Sequence, residues 1–200
     1  MASNARYRVQ LRRRREGKTD YQARKALVVS GNLRLVARNS LKNASAQIII
    51  AKPNGDEVLA AAHSNELKEF GWQAATGNIP AAYLTGLLCG LRAKKVGIEE
   101  AVLDIGLIPP TKGSRVFALL SGVVDAGVEV PYNEEKLVKE RTNGSHIAEY
   151  AKELGSGSED YSDKFSAYLS QNLAPEKLPD HFVQVKNTII NSFKSEGKKQ

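Results

Sequence analysis

Between Arg6 and Lys25 the chain reads RYRVQLRRRREGKTDYQARK, a stretch whose chemistry is that of the guanidinium group. Four arginines in succession, Arg12, Arg13, Arg14 and Arg15, cannot share one face of a helix or strand, so they splay around the backbone. That disposition suits a ligand that surrounds the segment, as folded RNA does, better than a flat surface. Every cation in residues 1–16 is Arg, whose planar fork grips phosphate through paired hydrogen bonds and stacks on exposed bases. Tyr7 and Tyr21 flank the cluster, and stacking on an aromatic ring contributes about 1–3 kcal/mol per base. Lys and Arg outnumber Asp and Glu 12 to 2 over residues 1–42 and are outnumbered 17 to 20 beyond them. Positive charge concentrated in this way points to an anionic polymer, whereas distributed charge merely solvates. Nuclear import signals and membrane-surface anchors also use basic tails, but the interleaved aromatic residues and the basic strand that follows favour nucleic acid.

Other side chains with chemical potential do not assemble into a site. His63, His146 and His181 are scattered and form no H-x-x-x-H pair, so a histidine metal centre is not expected. The single cysteine, Cys89, lies inside the apolar run AAYLTGLLCGL; it excludes an internal disulfide and reads as a buried small hydrophobe. The loop GLIPPTKGS at Gly106–Ser114 resembles a phosphate loop only superficially, because Thr111 stands where glycine must precede the lysine and two prolines remove amide donors. Asp104 is the best carboxylate for a metal-dependent nuclease. Such a site needs several carboxylates converging, and residues 33–62 offer only Asp56 and Glu57 at a turn. Asp104 is therefore expected to cap or pair beside the loop that follows, and neither an enzyme activity nor a cofactor is predicted.

The elements that position these residues follow from periodicity. Residues 1–19 hold few apolar side chains beyond Tyr7, Val9 and Leu11, and are expected to stay disordered until a ligand orders them. Thr19 or Asp20 caps a helix over 21–30, stopped by Gly31. In LRLVARNS the period becomes two, placing Arg34 and Arg38 on one face of a strand. The run AQIIIA at 46–51, the turn Pro53-Asn54-Gly55-Asp56 and a strand over 57–62 make a hairpin. A weak helical piece spans 65–70, and Asn78 caps a long helix running to Lys95 or Val96. Gly86 and Gly90 share a face of that helix, as where a backbone packs closely against a sheet. A buried strand at 100–105, the Pro-rich loop and a helix over 115–126 complete a βββαβα order, an α/β unit in which helices cover a mixed sheet. Helices are expected at 134–142, 145–154, 161–172 and 179–195, with GSGS at 155–158 as a joint. The apolar stripes Phe165, Tyr168, Leu169 and Phe182, Val185, Ile189, Phe193 fit packing against the body. The division predicted is a basic arm (1–19), an α/β core (20–131) and a helical C-terminal extension (132–200). No leader-type apolar region follows the first basic residues, and the longest apolar stretch, 79–91, is short of the ~20 residues of a membrane span; a soluble, intracellular protein is expected.

The stretches YRVQLRRRREGKTDYQARKAL, SGNLRLVARNSLKNASAQII, LDIGLIPPTKGSRVFALLSGVVDAGVEVPYNEEKL and RTNGSHIAEYAKEL together resemble one family, the large-subunit ribosomal proteins of the L-eighteen type in their archaeal form, close to the eukaryotic L-five branch. The likeness spans most of residues 6–154. It implies a fold shared with other translational-machinery components and grouped by topology with ribonuclease H. It implies a cytoplasmic protein of the large ribosomal subunit that binds 5S ribosomal RNA and helps attach it to the large ribosomal RNA in the central protuberance. Its implied neighbours are the 5S-associated protein of the bacterial L-five family and a small protein of the L-twenty-one-e type. Carried over by position, the RNA contacts are Arg6, Arg8, Arg12, Arg13, Arg14, Arg15, Lys18, Thr19, Tyr21 and Arg24 in the arm and first helix. Arg34, Arg38 and Lys42 follow on the basic strand and its loop, then Lys112 and Arg115 at the TKGSR turn. Leu33, Ala37 and Ser45 stand where relatives often carry further cations. A nuclease of ribonuclease H-like topology and an RNA-processing chaperone that never joins the ribosome are the competing functions.

Overall fold

Three consecutive strands, β1 (Arg34–Asn39), β2 (Ala44–Lys52) and β3 (Gly55–His63), pair antiparallel, and β4 (Val102–Asp104) joins the free edge of β1 in parallel. The order across the sheet is β3-β2-β1-β4. This is a computed structural model that describes residues 5–196. The β2–β3 connection is a tight hairpin in which Lys52 pairs with Gly55 across Pro53-Asn54. Gly55 takes the positive φ, +136°, that this turn chemistry requires.

Leu35 and Ala37 of β1 and Ala44, Ala46 and Ile48 of β2 are fully buried on one face. Helices α3 (Ile79–Lys95) and α4 (Arg115–Asp125) cover that face and pack on each other, α3 lying over β2 and β3 and α4 over β1. Asn78 begins α3 by accepting the Ala81 amide at 2.8 Å, with Pro80 in the first turn. The Gly86–Gly90 face serves a different partner from the one its spacing suggests. A Cβ at Gly86 would lie 1.9 Å from the Leu119 carbonyl oxygen, and one at Gly122 would lie 2.1 Å from that of Tyr83. The glycines thus bring two helix backbones together, not a helix and a sheet. Cys89 is buried in this layer, which pushes its thiol up to about 12.

Beyond the core, the segment read as one helix over 134–142 consists of two short 3-10 turns, Glu134–Lys136 and Lys139–Arg141, separated by extended backbone at Leu137. Helix α5 (Ser145–Leu154) follows, and the next stretch divides at Phe165 into α6 (Glu159–Lys164) and α7 (Ser166–Leu169). The last helix, α8 (Leu178–Glu196), buries Phe182, Val185 and Ile189 in the same apolar cluster as α3. Phe165 and Tyr168 are also buried there, while Leu169 is exposed. Polar contacts secure α8: Tyr83 donates its hydroxyl to Asp125 at 2.5 Å and accepts from Lys186 Nζ at 2.6 Å. His181 stacks on Trp72 with ring centroids 5.2 Å apart and accepts the Gln73 amide at Nε2. Among the described residues no helix is long and apolar enough to cross a membrane.

Candidate nucleic-acid interface

The face of the sheet opposite α3 and α4 carries Arg34, Val36 and Arg38, since successive strand residues point to alternate faces. Helix α2 (Tyr21–Val29) reaches this side and is connected to it by Arg24, whose Nη2 lies 2.8 Å from Asp56 Oδ2. Asp20 caps α2, accepting the Gln22 and Ala23 amides at 2.9 and 3.2 Å. Ahead of it, residues 12–15 form a single helical turn, α1 (Arg12–Arg15), where sequence composition predicts disorder. Local contacts account for the turn. Arg12 Nε pairs with Glu16 at i,i+4 (2.8 Å), Lys18 reaches the other oxygen of Glu16 (2.9 Å), and Arg13 Nε donates to the Thr19 hydroxyl (2.9 Å). Lys18 and Arg12 hold the Glu16 carboxyl below its ordinary range.

All four side chains of α1 are exposed and, at about 100° per residue, they encircle the turn. Arg14 and Arg15 meet no carboxylate among the described residues. Arg6, Arg8 and Tyr7 ahead of them are exposed as well, and Tyr21 is half-buried at the start of α2.

The strand arginines behave differently from the arm. Arg34 is 1% exposed, so it cannot serve as the phosphate contact that its place in the sequence predicts. Its Nη1 donates to Asp104 Oδ2 at 3.2 Å, and its Nη2 lies 3.0 Å from Asp56 Oδ1 without good hydrogen-bond alignment. Its Nε is buried without an acceptor among the described residues. Burial alone would raise the Asp56 carboxyl, but the hydrogen bond from Arg24 and the guanidinium of Arg34 beside it outweigh it and the pKa is lowered. Arg38 is the exposed member of the pair, 44% open at its side chain. Its Nη2 bonds Asp104 Oδ1 (2.9 Å) and its Nη1 bonds the Asp104 carbonyl (2.7 Å). Gly106 allows this placement, because any Cβ there would sit 3.0 Å from Arg38 Cζ. Asp104 also accepts the Gly106 amide at 2.9 Å, so both of its oxygens are engaged. It pairs beside the Pro-rich loop, as its sequence context predicts.

Between α1–α2 and the β1–β4 edge lies a cleft of about 780 Å³. Arg13, Lys18, Tyr21, Arg24 and Arg38 line it, together with apolar side chains that include Leu27 and Ile105. With Thr19, which also lines it, the structure thus gathers six of the sequence-predicted residues around one opening.

The remaining candidates form a second group. Arg115, half-buried, donates from Nη1 to the carbonyls of Ser40 and Gly77, both at 2.9 Å, and so braces the β1–β2 turn that displays Lys42. Lys42 and Lys112 are exposed. Lys139 and Arg141 stand exposed beside Lys112, because the Gly113 amide donates to the Lys136 carbonyl and the glycine packs against Val138 and Arg141. Sequence reasoning passed over these two cations; their three-residue neighbourhood reads as an ordinary solvated helix face unless the loop contact is known.

The family model described as "Ribosomal large subunit proteins 60S L5, and 50S L18" matches residues 5–101 and 92–133. The large ribosomal subunit protein uL18 of Haloarcula marismortui is 50% identical over 192 residues, which cover 96% of this chain and 97% of that protein. On a match of this extent, the chain belongs to the family of large-subunit ribosomal proteins that comprises 60S L5 and 50S L18, structural constituents of the ribosome and not enzymes.

Proposed function

We propose that this ribosomal protein binds 5S ribosomal RNA through its arm and α2, and helps attach that RNA to the large ribosomal RNA in the central protuberance. The observation that carries the reading is the α1 turn, where consecutive guanidinium groups project around an exposed backbone and Arg14 and Arg15 lack a carboxylate among the described residues. Such a surface is complete only against an external polyanion. The second basic group, with Lys42, Lys112, Lys139 and Arg141, is a separate surface suited to the large ribosomal RNA. Neighbouring proteins of the L-five family and of the L-twenty-one-e type are the expected protein contacts. The nuclease alternative finds no support in the donor set. Both Asp104 oxygens are engaged by Arg34, Arg38 and Gly106, and no cluster of three or more metal-ligating side chains occurs among the described residues.

The test is the triple replacement Arg13→Gln, Arg14→Gln, Arg15→Gln, with 5S RNA affinity measured across a salt series. Each phosphate contact contributes about 0.7–0.9 to the log-log salt slope, so the slope should become shallower by about 2–3 while the fold is unaffected. An unchanged affinity and slope would rule the reading out.

A further inference from the structure

A helix lying across a sheet ordinarily sinks an apolar stripe into it, yet α2 buries none of its nine residues. The space left beneath it is the 780 Å³ cleft, within the size range of pockets that enclose small ligands. Its lining joins two kinds of surface. Arg13, Lys18, Arg24 and Arg38 bring four cations against two carboxylates, Asp20 and Asp104, and both carboxylates are already engaged, one capping α2 and the other bonded to Arg34, Arg38 and Gly106. The cations of the lining outnumber its carboxylates, and although Lys18, Arg24 and Arg38 are paired with Glu16, Asp56 and Asp104, Arg13 meets no carboxylate among the described residues. The other surface is a flat and apolar one, the half-buried ring of Tyr21 together with Leu27 and Ile105. A phosphate carrying an unstacked base satisfies both surfaces at once, whereas a base held in a duplex offers only its edges.

We propose that this cleft receives one unpaired nucleotide of the bound RNA, its base against Tyr21 and Leu27 and its phosphate beside Arg13 and Lys18. The inference rests on the RNA-binding reading above and adds that the RNA must present an extruded residue here. A bulged or looped nucleotide fits best, since unstacking it costs least.

Ala23 also lines the cleft and is exposed on α2, so Ala23→Trp obstructs the opening beside Tyr21 without changing any charge. With full-length protein and 5S RNA, Ala23→Trp should weaken binding about 10-fold or more, on the scale of one lost base stack, and make the salt slope shallower by no more than one phosphate contact, about 0.7–0.9. Nucleotide-resolved chemical probing should show one unpaired base protected by the wild type and reactive with Ala23→Trp, while the arm footprint persists. Tyr21→Ala, which removes the ring without filling the space, should expose the same base. Wild-type affinity and protection retained by both variants would overturn the cleft assignment alone, and would leave the space to a protein segment. Failure of the wild type to bind 5S RNA would overturn the RNA-binding reading and the cleft assignment with it.

Discussion

Replacing Arg34 separates a structural cation from an RNA contact. Its guanidinium is 1% exposed between Asp104 at 3.2 Å and Asp56 at 3.0 Å. Removing one partner of a buried ion pair costs about 3–5 kcal/mol, because the other charge stays buried and uncompensated. Here each abandoned carboxylate keeps a partner: Asp56 retains Arg24, and Asp104 retains Arg38 and the Gly106 amide. The lower end, about 3 kcal/mol, is therefore expected for Arg34→Ala. At about 2–4 °C per kcal/mol for a chain of this size, the melting temperature should fall by about 6–12 °C, and the urea midpoint by about 1–2 M. Arg38→Ala removes a partly exposed pair and should change stability by about 1 kcal/mol or less. Measured on folded protein below both transitions, 5S RNA affinity should fall for Arg38→Ala and not for Arg34→Ala. An Arg34→Ala protein that melts with the wild type and loses RNA affinity would refute the reasoning and return Arg34 to the exposed basic face.

Three further outcomes follow from the packing. Gly86→Ala gains about 1 kcal/mol of intrinsic helix propensity, but its Cβ would lie 1.9 Å from the Leu119 carbonyl; overpacking should win by about 1–3 kcal/mol or more, and a thermal melt at or above the wild type would contradict the close helix pair. Burial lowers the pKa of His181, whose Nε2 accepts the Gln73 amide, so its folded pKa lies below the unfolded one. Its contribution is complete above the unfolded value near 6.5 and lost as pH falls through the folded value, so denaturant titrations from pH 7.5 to 5 should show a steeper loss for the wild type than for His181→Phe. Tyr83→Phe leaves Asp125 and Lys186 without the hydroxyl that joins them and should cost about 1–3 kcal/mol; limited proteolysis should then cut near α8 sooner than in the wild type.

Local rules made the hairpin, the α3 cap and the buried Cys89 readable, because each depends on neighbours in sequence. Period-two alternation also placed Arg34 and Arg38 on one face correctly. It could not distinguish them, because the difference lies across the sheet. Arg34 begins β1 between β2 and β4, where Asp56 of β3 and Asp104, 70 residues away, close over it. Arg38 lies toward the strand end, beside the Gly106 loop. The Gly86–Gly90 spacing signalled a close approach without naming the partner, since helix and sheet backbones impose the same demand for a missing Cβ. The arm contained a local signal that composition hid: Arg12 and Glu16 are four apart, and that pair accompanies the α1 turn.

The buried carboxylates also alter what the charge count means. Twelve cations against two carboxylates over residues 1–42 treats every arginine as available, yet Arg24, Arg34 and Arg38 are engaged by Asp56 and Asp104, which lie outside that segment. A cation already paired with a carboxylate holds fewer counterions to release on meeting phosphate. The salt dependence of RNA binding should therefore follow the α1 arginines and the second basic group more than the strand. Asp56 and Asp104 fix the β1 face in one arrangement before RNA arrives, and this leaves the adaptable charge to the arm. On the proposed function, the rigid part of the interface would supply shape, and the arm, whose contacts are local and exposed, would supply most of the phosphate neutralisation.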